Sequence, residues 1–396
     1  MNKTYDNSNN IFAPLGSSLG ECSKVLFKSI KNVLNINTLD FKKLFEELNL
    51  CNKSKEYPRL YKILNEEYFK TYQFTVPIGL SIEDFEKHIE PISHFIGVDN
   101  VSIVRNNKLI EVKILTKVPY EEYNPEIHKA KGYKIPIGIN LNNYKMRYWD
   151  LSDGSNANMY IAGSTRCGKS NLLRLIITVL TQKSCADIQL SLINPKIVDL
   201  LEWKQPVKNV VHYTENANEA TDILLDNIEE MRRRYILFSK HKGVKNIWDY
   251  RNKVSKMPVR LVVIEEMSEF EGDKEFHNAL KLLAQQSAGS GILLLLTSQL
   301  PNKETLSNQV KNNINSVIGG KCKDAIRSDI IVDDGNLHLL RGKGHMKVFD
   351  ADEYGTEIQV LKVKDDVVEE VVGNNIKKNK RVASAGTPTT HGDNKL

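Results

Sequence analysis

Apolar and polar positions alternate with two different rhythms along this chain. Residues 22–70 carry apolar side chains at helical spacing, Leu26, Ile30 and Val33, then Phe41, Leu44, Phe45 and Leu48, which predicts a few helices. Residues 72–115 mix the two periods. Phe74-Thr75-Val76-Pro77 reads as a strand and Gly79 as a turn. Ser81 caps a helix with Glu83 and Asp84 in its first turn and Phe85, Ile89, Ile92 and Ile96 inward. Two alternating runs, 101–104 and 109–114, flank Asn106-Asn107, a hairpin signature.

Beyond a polar stretch with two prolines at 118–131, the runs become longer and more apolar. Residues 135–140 and 147–150 predict a hairpin. Buried strands follow at 159–162, 188–193, 210–213, 259–264 and 292–297, with amphipathic helices at 171–180, 219–241 and 276–287 between them. Residues 316–321 and 345–349 read as further strands at the sheet edge. Strands alternating with helices imply an α/β fold, a mostly parallel sheet covered on both faces, and a ligand at the carboxyl ends of the strands. The chain thus divides into a disordered N-terminus (1–20), a helical segment (21–70), a small α+β domain (71–132), a large α/β domain (133–370) and a disordered basic tail (371–396).

Composition narrows the chemistry. The net charge of +6 permits a polyanionic partner without demanding one. The five cysteines are scattered and contain no C-x-x-C, which argues against a disulfide framework or a zinc site and fits a reducing cytoplasm. No apolar run approaches the roughly 20 residues of a membrane span, and residues at the N-terminus show no charged-then-apolar signal pattern, so neither export nor direct membrane insertion is expected.

The strongest local signal is Gly163-Ser164-Thr165-Arg166-Cys167-Gly168-Lys169-Ser170, spaced G-x-x-x-x-G-K-S between a buried strand and a helix that opens at Asn171. That is a P-loop. Gly163 and Gly168 let the backbone curl around phosphate oxygens, Lys169 reaches the outer phosphates, and Ser170 is a ligand for Mg²⁺, so ATP and Mg²⁺ are the expected cofactors. A second signal is Leu261-Val262-Val263-Ile264-Glu265-Glu266, a central strand delivering two acids to the same end of the sheet. Glu265 is expected to support the metal and Glu266 to activate water, with Gln299, at the end of a third strand, sensing phosphate through an amide that both donates and accepts. Arg232, Arg233 and Arg234 suit either an interface, one as an arginine finger in trans, or a solvated stripe; Arg327 and Arg341 are weaker finger candidates. Lys240, Lys242, Lys245, Lys303 and Lys311 suit either solvent or DNA phosphates. His212, His277, His338 and His345 stand apart and are expected to be structural.

Taken in order, several of these segments resemble the FtsK/SpoIIIE family of DNA-pumping ATPases. The P-loop through Asn171, Asn194-Pro195-Lys196, Glu230-Met231-Arg232-Arg233-Arg234-Tyr235, Leu283-Ala284-Gln285-Gln286, Thr297-Ser298-Gln299 and Leu340-Arg341-Gly342-Lys343-Gly344-His345 carry the likeness, which covers residues 74–349. It implies a RecA-like P-loop NTPase core, ATP hydrolysis, and a homo-hexameric ring threading double-stranded DNA. Glu265-Glu266-Met267 and the small size look most like coupling proteins of Gram-positive conjugative plasmids, or plasmid and phage relatives, which implies plasmid or mobile-element DNA and membrane-bound or relaxase-type partner proteins. The chain departs from the family at Glu265 (usually Asp), Leu300 and Val317 (where arginines are expected) and Asn194 (usually Asp). It also carries no winged-helix region after the motor and no membrane-spanning region before it. Two rival readings are a type VII secretion-like protein-export ATPase and an ATP-binding adaptor that has lost hydrolysis.

Overall fold

The computed structural model describes residues 39–66, 68–98, 101–299, 306–333 and 336–377. The expected disordered N-terminus lies outside these residues, as do Leu26, Ile30, Val33, Leu300, Lys303 and most of the expected disordered tail; the tail's start is corrected, because a helix runs to Asn374 and buries Val371 and Val372. The chain forms two compact units, divided between Pro119 and Tyr120.

In the first unit, helix α1 (Phe41–Glu47) opens at Asp40, whose carboxylate accepts the Lys43 amide. Then come β1 (Arg59–Asn65), β2 (Phe69–Thr75), α2 (Ile82–Glu86), α3 (Ile89–Ile96), β3 (Val101–Asn106) and β4 (Leu109–Leu115). The four strands form an antiparallel sheet in the order β1-β2-β4-β3. The helical segment expected over 21–70 is therefore corrected from Arg59 onward. β1 is an edge strand, exposed along nearly its whole length, so no alternation of burial marks it in the sequence. The single helix expected after Ser81 is two, because Pro91 has no N–H to continue the ladder across Lys87 and His88. The hairpin turn is Asn107-Lys108, one residue later than expected, since Asn106 pairs with Leu109.

The second unit is a ten-stranded sheet. In chain order its elements are β5 (Lys134–Asn140), β6 (Met146–Asp150), β7 (Met159–Ala162), α4 (Lys169–Thr181), β8 (Ile188–Ile193), β9 (Val210–Thr214), α5 (Ala217–Ser239), α6 (Ile247–Lys253), β10 (Val259–Ile264), α7 (Lys274–Gln286), β11 (Ile292–Ser298), α8 (Asn308–Lys311), β12 (Ser316–Gly320), α9 (Ala325–Ile331), β13 (His345–Phe349), β14 (Tyr354–Val360) and α10 (Asp365–Asn374). The strand order is β6-β5-β14-β13-β12-β7-β11-β10-β8-β9. The run from β12 to β9 is parallel, and the other four strands pair antiparallel.

Helices cover both faces. One core gathers Leu172, Ile176, Trp203 and Val368, and the other gathers Leu224, Ile228, Leu280 and Leu283. Each fully buried aliphatic side chain contributes about 1.5–3 kcal/mol. β11, buried at every position, can sit only between covered faces. Its entry turn needs Gly291, at φ +77°, where a Cβ would lie 2.2 Å from Ile247.

Two expectations change here. β12 and β13 lie inside the sheet, because β14, β5 and β6 extend it beyond them. The division between units also falls before residue 133: Tyr123 packs into the core of the large unit, and its amide bonds the Lys362 carbonyl at 2.8 Å.

Candidate functional site

The parallel order places the ends of β7, β11, β10 and β8 side by side, and the candidate site is built from the four loops that leave them. β10 runs through Leu261, Val262, Val263 and Ile264, all fully buried, and ends on Glu265 and Glu266, also fully buried. Lys169, at the start of α4, is 4% exposed and lies between the two acids, 3.7 Å from Glu265 and 3.3 Å from Glu266.

The two carboxylates have opposite environments. Glu266 takes contacts from Lys196 Nζ (2.7 Å), Ser268 Oγ (2.8 Å), Ser298 Oγ (3.3 Å) and the Gln299 amide (3.0 Å). Burial pushes its pKa up, but Lys169, Lys196, the Gln299 amide and Ser268 outweigh that and hold it at about 2. Glu266 is an ionised acceptor. No hydrogen-bond donor among the described residues reaches either oxygen of Glu265. Burial first, opposed by Lys169 and reinforced by Asp199, raises its carboxyl to about 7. An acid left this way in a closed site is a place for a cation.

The P-loop is braced from both sides. The Gly163 amide bonds Ser298 O and the Ser164 amide bonds Lys321 O, at 3.2 and 2.9 Å. These two amides, expected to face phosphate, anchor the loop instead, which leaves the cradle to its second half. Gly168 has φ +112°, and a Cβ there would lie 2.6 Å from Gly344 N. That close approach lets Gly344 donate to Cys167 O at 2.7 Å. His345 fixes the bracing loop, accepting the Arg341 amide on Nδ1 and donating from Nε2 to Glu357 at 2.7 Å. The Asn171 side chain bonds Leu361 O and Val363 N, at 2.8 and 3.0 Å, and so tethers the segment after β14. Thr165 and Gln299 meet at 3.4 Å. Beside them opens a pocket of about 570 Å³ whose lining includes Arg166, Lys323, Arg327 and Lys343, a charge suited to an anion.

Two further residues come from the turn after β8. Lys196, noticed in the sequence only as part of a motif, bonds Glu266. Asp199, not singled out at all, accepts the Ser170 hydroxyl at 2.8 Å. The turn between them is strained: Ile197, β-branched, has φ 69°, a conformation costing about 1–3 kcal/mol. Asn194 Nδ2 holds it by donating to Ile197 O at 2.9 Å, a bond that the family's aspartate could not make. Of the arginine trio, Arg234 is interior, bonded to Glu230 at 2.8 Å and Ser290 O at 3.0 Å, Arg233 pairs with Glu230, and Arg232 is exposed. Lys240, Lys242 and Lys245 are exposed, whereas Lys311 bonds Ile330 O at 3.0 Å. The isolated histidines make no cluster of three metal-ligating groups among the described residues.

Residues 129–318 match the FtsK/SpoIIIE family profile. Those residues form an FtsK/SpoIIIE-family domain. The DNA translocase FtsK of Streptococcus agalactiae is 28% identical to it over 298 residues, 72% of this chain and 35% of that protein. FtsK of Lactococcus lactis subsp. cremoris is 28% identical over 258 residues, 61% of this chain and 34% of the relative. The chain therefore spans about a third of the length of these curated relatives.

Solved structures place the FtsK/SpoIIIE domain in the RecA-like class. The conjugation coupling protein TcpA of pCW3, in its monomer form with ATPγS, superposes with a TM-score of 0.58 at 20% identity, over 84% of this chain and 97% of that one. The cytoplasmic domain of the type VII secretion ATPase EccC of Thermomonospora curvata gives 0.56 at 18% identity, over 65% of this chain and 33% of that one. Both likenesses concern the fold. Glu265, Glu266, Lys169 and the Gln299 amide are brought together at the end of β10.

Proposed function

We propose that this chain hydrolyses ATP to move double-stranded DNA, working in the cytoplasm as a homo-hexameric ring on plasmid or mobile-element DNA. The observation that carries the reading is the convergence of Lys169, Glu265 and Glu266 at the end of β10, within a domain whose relatives are DNA translocases. The exposed Lys240, Lys242 and Lys245 would meet DNA phosphates without reading sequence. No helix among the described residues is long and apolar enough to cross a membrane. Membrane-bound or relaxase-type partner proteins belong to the same proposal.

The residues fit ATP and Mg²⁺. The amides of Gly168, Lys169 and Ser170 at the start of α4 favour phosphate. The buried oxygens of Glu265, lacking any donor among the described residues, together with the Ser170 hydroxyl form an oxygen set suited to Mg²⁺. Bound there, the cation would neutralise charge on the phosphate oxygens. Lys169 would exchange the acids for phosphate. Glu266, ionised and steadied by Lys196 and the Gln299 amide, would take the proton of the attacking water on a carboxylate oxygen. The Gln299 side chain, beside Thr165, would report whether the outer phosphate is present.

ATP turnover measured with and without double-stranded DNA tests this. The expected result is turnover that rises with DNA and vanishes in Glu266→Gln. Rates near zero under every condition would support the adaptor reading instead, and turnover indifferent to DNA would remove the DNA motor.

A further inference from the structure

Ser170 and Asp199 make a contact that the proposed reaction leaves unused. The Ser170 Oγ lies 2.8 Å from Asp199 Oδ2. A carboxylate only accepts, so the hydroxyl hydrogen is the one shared. A serine hydroxyl has one hydrogen and two lone pairs. Once the hydrogen is committed to Asp199, the lone pairs are free for a cation, and the hydrogen no longer competes for that side.

Asp199 also bears by its charge on Glu265, the buried acid with no hydrogen-bond donor among the described residues. One carboxylate thus orients one oxygen donor and adds negative potential near the other. The turn that delivers it is held firmly. The Asn194 amide fixes Ile197 O in its strained conformation, Val198 N bonds Lys196 O at 2.7 Å, and buried Leu200 anchors the far side.

We propose that Asp199 is a positioning residue for the divalent cation that accompanies the nucleotide, acting through the Ser170 hydroxyl. The inference rests on the reading of Lys169 and Ser170 as the seat of ATP and Mg²⁺. It assigns Asp199 no contact with the phosphates, so its effect should appear only when the cation is present.

Affinity for a fluorescently labelled ATP, measured in Mg²⁺ and again in EDTA, separates the possibilities. Asp199→Ala should weaken binding in Mg²⁺ by about 10–100-fold and leave binding in EDTA unchanged. Asp199→Asn keeps an acceptor for the hydroxyl and should retain most of the Mg²⁺ effect even if the alanine variant folds poorly. Ser170→Ala combined with Asp199→Ala should be no worse than Ser170→Ala alone. Equal losses in Mg²⁺ and EDTA, no loss in either, or full additivity in the double variant would overturn the assignment. Wild-type protein indifferent to Mg²⁺ would remove the site reading itself, a result distinct from failure of the Asp199 variants.

Discussion

Lys196 Nζ lies 2.7 Å from a carboxylate oxygen of Glu266, joining the turn after β8 to the end of β10. Lys169 shares that oxygen at 3.3 Å. If phosphate draws Lys169 away, Lys196 remains to balance the acid. Lys196→Ala should therefore lower the unfolding free energy by about 1–3 kcal/mol, the cost of leaving a buried acceptor short of a donor. ATP turnover should fall while nucleotide affinity is largely kept. Urea unfolding and steady-state kinetics check the two parts; unchanged turnover would mean the pair is structural only.

Glu265 is the opposite case, an acid with nothing donating to it among the described residues. Glu265→Gln removes a desolvated charge, so the nucleotide-free protein should unfold at or above the wild-type temperature. The gain should disappear with ligand. Adding Mg²⁺ to ATP should raise the wild-type midpoint further and leave that of the variant where ATP alone put it, as a thermal-shift titration would read.

Asn194→Asp restores the residue usual in the family and should destabilise this chain. Its amide donates to Ile197 O at 2.9 Å and to the Tyr213 hydroxyl at 3.3 Å, and the position is fully buried. A carboxylate cannot donate to the carbonyl, so the cost should be about 1–3 kcal/mol in chemical denaturation. A neutral or stabilising result would show that the turn does not depend on that donor.

Arg234 is 1% exposed and bonded to Glu230. Arg234→Ala leaves Glu230 with Arg233 as its remaining arginine partner and strips the Ser290 carbonyl of its donor, and should cost about 1–3 kcal/mol at neutral pH. The penalty should depend on acidity. Burial pushes the Glu230 carboxyl up, but Arg233 and Arg234 outweigh it and bring it from 4.5 down to about 2. A folded value below the unfolded one means the stabilisation is complete above 4.5 and lost as pH falls toward 2. The difference between wild type and variant should therefore narrow along the acid limb, measured by denaturation at successive pH values.

The sequence displays the centre of the sheet better than its margins. β10 and β11 are legible because strands buried on both faces must be continuously apolar. Glu265, Glu266, Lys169 and Gln299 are legible because they sit at fixed places relative to such strands. β1 is hidden because it is an exposed edge held by backbone bonds. β14, beginning with Tyr354-Gly355-Thr356-Glu357, is half polar, and its burial becomes evident only once β5 and β13 flank it. Asp199 has no local signature at all. Its role depends on a turn that brings it back to a residue 29 positions earlier. Asn171 misleads in the other direction: it follows a P-loop serine, yet its amide serves the segment after β14.

β14 pairs with β5, so the last strand of the large unit is zipped to its first. Neither strand can be trimmed alone, although the helix after β14 carries the chain on to Pro206–Lys208, beside β9. A fragment starting at the P-loop strand would strip β5 and β6 away and lay bare the β14 backbone to any passing chain. Dissection of this protein should therefore cut before residue 120, where the compact unit begins.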